Sequence, residues 1–252
     1  MVTEIKTPTL TEMLKQTLPR ANQILRGEVP CPVCSLQPMK WCVCYFYREL
    51  VKHYRDIPEK YKPVLLNKLQ ASEKSRLPMI QQTELYDEMR ANPTSGWAFF
   101  SPAGYSKTTC SIALYKHAIF HSLCRSWELI PNRSEMAADR LYVWRKSVPD
   151  LFAQHFERFN NPNAPLPDIT VEKIEQGKRR GFTPRVFLEE IDKQKPSEFT
   201  THQLFRLFDA LDRHKCQIVL DSNLSKAQFA EIFGEPIVRR IKENCIVKEF
   251  GF

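Results

Sequence analysis

Eight residues, Ser101-Pro-Ala-Gly-Tyr-Ser-Lys-Thr108, concentrate the chemistry of this chain. They have the layout of a phosphate-binding loop, G-x-x-x-x-G-K-[S/T], with serine at both glycine positions. In such a loop, successive backbone N–H groups and the first turn of the following helix face the phosphates. Ser101, Gly104 and Ser106 would shape the cradle. Lys107 would reach the β- and γ-phosphates, and the Thr108 hydroxyl would sit on Mg²⁺, with Thr109 beside it. The surroundings suit this role: Trp97–Phe100 predicts a strand before the loop, and the pattern from Thr108 to Phe120 predicts a helix after it. Two of the four fixed positions differ, so a strand–helix turn that simply carries a lysine is the alternative. The serines have a physical cost of about 1–2 kcal/mol wherever the backbone demands a left-handed residue. Ser106, directly before Lys107, is where that cost weighs most.

A second group of reactive side chains lies near the start. Cys31-Pro-Val-Cys34 and Cys42-Val-Cys44 place four thiols close together. A C-x₂-C turn presents two sulfurs to one tetrahedral ion, and the C-x-C pair can close the site on Zn²⁺. A redox pair and four incidental thiols are the other readings. A knuckle this small has little core, so bound metal would supply much of its folding free energy. Trp41, Tyr45, Phe46 and Tyr47 would cover such a site or dock a partner. Cys110, Cys124, Cys216 and Cys245 lie scattered on apolar segments and predict core positions. His117 and His121 share a helix face but have no third ligand, so no metal is expected there.

These groups need a scaffold, and the bulk properties bound it. The 252 residues are 42% apolar and 26% charged, enough for one α/β domain with a smaller appendage. A formal charge of +8 and a pI near 9.1 call for an acidic partner. Without an apolar run of membrane-spanning length or a leader-like apolar core, nucleic acid is expected rather than membrane, and the location cytoplasmic. The stretch Tyr45 to Tyr54 predicts a basic helix, and Met79 to Ala91 an amphipathic helix ending before Asn92-Pro93. After the loop helix come a strand at Leu141–Trp144, a helix from Ser147 to Phe159 and a Pro/Asn-rich loop at 160–168. A helix from Thr170 to Arg180 ends in Lys178-Arg-Arg180, which suits either a helix C-terminus or a DNA contact. Val186–Leu188 and Gln217–Leu220 predict strands on either side of a helix from Phe199 to Arg213. Strands alternating with helices, and polar residues at strand ends, describe a parallel sheet with its site along the carboxyl edge.

In order and spacing, residues 31–252 resemble the DnaC/IstB group of AAA+ ATPases. The cysteine module, the basic helix and Ile57-Pro-Glu-Lys-Tyr61 are similar to the start of DnaC-type helicase loaders, and Gln81 and the Trp97 strand precede the loop as they do there. Val186-Phe-Leu-Glu-Glu-Ile191 occupies the Walker B position, with Glu189 where the group has aspartate. Asp221-Ser-Asn-Leu224 resembles T-S-N-L, and Gly234-Glu-Pro-Ile-Val-Arg-Arg-Ile241 resembles the segment with the trans-acting arginine.

The resemblance implies a P-loop core of five parallel strands flanked by helices over 93–252, a linking segment at 57–92 and a helical zinc module at 1–56. It implies ATP and Mg²⁺ as ligands, with Glu189 supporting the metal, Glu190 orienting the attacking water, Asn223 sensing the γ-phosphate and Arg240 completing a neighbour's site. An arginine acting in trans requires self-association into a ring or spiral. The partners implied are a replicative helicase and single-stranded DNA, the latter met by Lys178, Arg179, Arg180 and Lys226. An IstB-like transposition helper and a nucleotide-independent adaptor are the alternatives.

Overall fold

The computed structural model describes residues 52–128 and 142–252. Residues 63–118 and 142–252 make one compact unit that holds the sheet and its helices. The other described residues, 52–62 and 119–128, belong to a separate unit containing the short 3₁₀ turn Glu59–Tyr61 and the end of the long helix introduced below. Among the described residues, no helix is long and apolar enough to cross a membrane.

Five strands form one sheet: β1 (Gly96–Phe100), β2 (Val143–Ser147), β3 (Arg185–Glu189), β4 (Gln217–Ser222) and β5 (Cys245–Glu249). Their order is β2-β3-β4-β1-β5, and every pair is parallel. Helices alternate with them: α1 (Met79–Ala91), α2 (Lys107–Glu128), α3 (Val148–Asn160), α4 (Val171–Arg179), α5 (Glu198–Arg213), α6 (Lys226–Phe233) and α7 (Glu235–Asn244). The expected parallel five-stranded α/β core is therefore present.

Near-continuous apolar strands follow from burial on both faces. Ala98, Phe100, Val186, Leu188, Ile218 and Leu220 join one core with residues of α3, α5, α6 and α7. The alternate residues, Trp97, Phe99, Phe187 and Val219, are also fully buried on the opposite face, where Tyr115 of α2 meets Phe187 edge-on at 5.2 Å. Gly96 opens β1 because a Cβ there would lie 2.2 Å from the Asn244 carbonyl at the end of α7.

Side-chain caps set most helix starts. The Ser147 hydroxyl accepts from Asp150 N–H, Thr170 from Lys173 N–H, and reciprocal boxes form between Ser197 and Thr200 and between Ser225 and Gln228. The second strand runs two residues later than expected. Arg145 and Lys146, polar enough to suggest an exit from the sheet, stay in it because each meets a carboxylate, Glu189 and Asp168 respectively. The fifth strand had no signal of its own: Cys245–Glu249 is short, half-buried and follows α7 with no intervening turn.

Candidate nucleotide-binding site

The chain leaves β1 at Phe100, crosses through Ser101–Ser106 and enters α2 at Lys107. Because β2 lies beyond β4 and β3 on one side of β1 and β5 lies on the other, this crossing opens at the topological switch point of the sheet. Two loop residues adopt left-handed backbone, Gly104 (φ 93°) and Ser106 (φ 65°). Alternation of this kind turns successive N–H groups into a shallow anion-binding concavity. The Ser101 N–H donates to the Ser222 carbonyl (3.2 Å), extending the β1–β4 ladder, while its buried hydroxyl finds no partner among the described residues. At the tip, the Gly104 carbonyl accepts from Arg76 N–H (2.9 Å), and the Arg76 stem covers the face where a Cβ would stand.

Gln82, 1% exposed, fixes the segment that carries Arg76. Its side-chain nitrogen donates to the carbonyls of Ser72 (3.0 Å) and Leu77 (2.6 Å). The sequence pointed to Gln81, but that neighbour is exposed, because only position 82 shares the inward face with Leu85, Tyr86 and Met89.

Lys107 is 8% exposed, and its ammonium group donates to the carbonyls of Ser101 and Pro102 (2.9 Å) and to Asn223 Oδ1 (3.0 Å). Burial lowers its pKa, and the charges of Asp221 and Asp192 pull it back up. Asn223 is oriented by Asp192, which accepts from its N–H and from its Nδ2, both at 2.9 Å. A polar chain thus runs from the loop, past the end of β4, to the turn after β3. Thr108 and Thr109 occupy the first turn of α2, half-buried.

The acidic side chains divide sharply. Glu189, at the end of β3, is held by both oxygens in a bidentate pair with Arg145 (Nε–Oε1 2.8 Å, Nη2–Oε2 2.7 Å). Burial raises its pKa while Arg145 opposes the rise. Glu190 is half exposed, pairs with Lys193 and has left-handed backbone, φ 56°. Its N–H donates to Asp221 Oδ1 (3.0 Å). Asp221 is 6% exposed, and burial pushes its carboxyl up to about 7. Asp192 has no place in the sequence expectation, and Asp221 stands there only within the Asp221–Leu224 motif. Their signal was an acidic residue immediately beside each expected site segment.

The loop therefore gathers Ser101, Gly104, Ser106 and Lys107, Lys107 reaches Asn223, and the Glu190 N–H is held by Asp221 on the strand next to β1. Among the described residues, these features fit a magnesium-bound triphosphate: an unpartnered buried hydroxyl, a left-handed loop, a helix N-terminus and a lysine held by neutral oxygens.

Arg240 is placed elsewhere, within its own chain. It donates to Asp209 Oδ1 (2.7 Å) and to the Pro236 carbonyl (3.3 Å), and its guanidinium lies 4.4 Å from the Phe205 ring centroid. Lys226 pairs with Glu249 (3.1 Å), whereas Arg179 and Arg180 are exposed at the end of α4. Cys110 and Cys216 are buried and Cys245 half-buried, as expected of core thiols. Cys31, Cys34, Cys42 and Cys44 lie outside the described residues, and among the described residues no cluster of three or more His, Cys, Asp or Glu side chains could hold a metal ion.

No protein-family model and no curated protein matches the sequence. Solved structures do match. The crystal structure of the DnaC helicase loader aligns with a TM-score of 0.53 at 13% identity, over 77% of this chain and 100% of that one. AMPPCP-bound DnaA from Aquifex aeolicus aligns with a TM-score of 0.49 at 16% identity, over 78% of this chain and 51% of that one. At these identities the likeness is one of fold.

Proposed function

We propose that this chain, whose fold is the AAA+ fold of the DnaC helicase loader, binds ATP with Mg²⁺ at the loop between β1 and α2 and serves as a DNA-replication accessory protein. The observation that carries this reading is the placement of Lys107. It is a nearly buried cation at a helix N-terminus, at the switch point of a parallel sheet, tied among the described residues to two carbonyls and an amide oxygen. A triphosphate would compete well for those bonds, since charge-assisted contacts are roughly twice as strong as neutral ones.

In the bound state the N–H groups of Gly104, Tyr105 and Ser106 and the first turn of α2 would hold the phosphates, with Lys107 between the β- and γ-groups. Thr108 would supply the hydroxyl for the metal, beside Thr109. Mg²⁺ would neutralise charge on the phosphate oxygens. Asn223, released by Lys107 but still oriented by Asp192, would contact the γ-phosphate. Glu190 would take the place of the residue that orients water. The wider assignment comprises a replicative helicase partner, single-stranded DNA and assembly into a ring or spiral. It is supported by the DnaC likeness and by the basic charge. Zinc held by Cys31, Cys34, Cys42 and Cys44 would build the helicase-docking piece.

A second reading, an adaptor that assembles without turnover, is favoured by two contacts: Arg145 occupies Glu189, and Asp209 with Phe205 occupies Arg240. An arginine acting in trans would first have to leave that site. Calorimetric titration with ATP and Mg²⁺ separates the readings, using wild type and Lys107→Ala. The nucleotide reading expects saturable heat in wild type and at least about a tenfold loss of affinity in the variant. Equal affinity in the two proteins, or no heat in either, defeats it and leaves the adaptor.

A further inference from the structure

Beside Glu249, whose two oxygens meet Lys226, four carboxylates lie at or just after the ends of β3 and β4 at the carboxyl edge of the sheet, and three are engaged. Glu189 gives both oxygens to Arg145, Glu190 pairs with Lys193, and Asp192 gives both oxygens to Asn223. Asp221 differs from them. One of its oxygens accepts from the Glu190 N–H, and among the described residues no lysine or arginine stands within ion-pair distance of it. It is nonetheless close enough for its charge to act on Lys107.

The sheet register places this group. Asp221 on β4 is the direct partner of Phe99 on β1, one strand from the loop, whereas Glu189 lies on β3, one strand further out. Two residues before each acid, Val219 and Phe187 are cross-strand partners, and Phe187 packs against Tyr115 of α2. The pleat repeats every two residues, so Asp221 and Glu189 share the α2 face, where the loop lysine and Thr108 begin the helix. Besides the two loop serines, the departures from the group's pattern fall at these two positions, Glu for Asp at 189 and Asp for Thr at 221. Asp221 thus puts a carboxylate one strand closer to the loop than Glu189 does.

We propose that Asp221 is the carboxylate that supports the nucleotide-bound Mg²⁺ in this chain, and that Glu189 serves a cross-strand ion pair instead. A hard divalent cation seeks uncommitted carboxylate oxygen, and Asp221 has one to give on the α2 face, whereas Glu190 is half exposed and turned to Lys193. Its other oxygen fixes the left-handed turn at Glu190, so one residue couples the metal side of the site to the water-orienting side.

This inference rests on the nucleotide reading above, and the test separates the two. ATP affinity is measured by calorimetry with Mg²⁺ and with EDTA, and Mn²⁺ retention by paramagnetic resonance, for wild type, Asp221→Asn and Glu189→Gln. Wild-type affinity is expected to rise with Mg²⁺. Asp221→Asn should lose that gain, and roughly 10- to 100-fold in Mn²⁺ affinity, while its affinity in EDTA is unchanged. Glu189→Gln should keep the gain. Should the asparagine variant fail to fold, Asp221→Ser gives the same readout. Retention of the Mg²⁺ gain without the Asp221 carboxylate, its loss in Glu189→Gln, or wild-type binding indifferent to Mg²⁺ overturns this assignment alone. Absence of ATP binding in wild type overturns the nucleotide reading and this assignment together.

Discussion

Ser106 and Glu190 hold the same awkward backbone conformation, left-handed at a residue with a Cβ, and both belong to the candidate site. Each costs about 1–2 kcal/mol relative to a relaxed residue, so the fold must overdetermine it. At Glu190 the restraint is visible: its N–H is held by the buried Asp221 carboxyl, and the next residue, Ile191, is buried at the start of a 3₁₀ turn. Its exposed pair with Lys193 adds little to stability. Glycine at 190 would relieve the strain, offset in part by greater freedom in the unfolded chain, for a net gain of about 0.5–1 kcal/mol. Glutamine would keep both the strain and the shape. Urea unfolding is therefore expected to rank Glu190→Gly above wild type, with Glu190→Gln level with wild type. A more stable protein that has lost the carboxylate proposed to orient water would mark this as functional strain. Glu190→Gly at or below wild-type stability would remove the strain account.

The element that departs furthest from its sequence signal is β2, and its departure is chemical. Arg145 and Glu189 face each other across the β2–β3 ladder, next to the Ser147–Glu189 register pair, and both side chains are largely buried. Removing one partner strands the other charge away from water, at a cost of about 3–5 kcal/mol, whereas replacing both with apolar groups of similar volume is close to neutral. Arg145→Met is accordingly expected to lower the unfolding free energy by about 3–5 kcal/mol, and Arg145→Met/Glu189→Met to recover most of that loss. Additive losses in the double variant would show that the pair is not the reason β2 reaches Ser147. The same pair shows where sequence reading stops. Apolar runs at Trp97–Phe100, Val186–Leu188 and Gln217–Leu220 announced three central strands, and Ser147, Thr170 and their neighbours announced helix starts, because burial and capping act locally. The loop and Lys107 were legible for the same reason. The partners of each acid were not, because Arg145 meets Glu189 and Lys107 meets Asn223 only once the strands are ordered. Asp192 and Asp221 acquire meaning from that order too.

Across the whole molecule, the excess of positive charge is less available than the total suggests. Lys146, Lys226, Lys248 and Arg240 are each spent on carboxylates of the same chain, and Arg213 and Lys215 pair along their own helix and turn. Arg179 and Arg180, at the exposed end of α4, have no such partner among the described residues. If the protein tracks a single strand, these two should carry phosphate contacts and Lys226 should not. Each contact displaces about 0.7 of a counterion on single-stranded nucleic acid, so Arg179→Gln/Arg180→Gln should flatten the log–log salt dependence of binding by about 1.4. Lys226→Gln should leave the slope unchanged. The helix-terminal role of the same arginines predicts something different: a stability loss of about 1 kcal/mol and no change in slope. Binding of an unstructured oligonucleotide across a salt series, with a urea titration on the same samples, distinguishes the two. An unaltered slope in the double variant would assign these charges to the helix end and move the search for the DNA track to another face of the molecule.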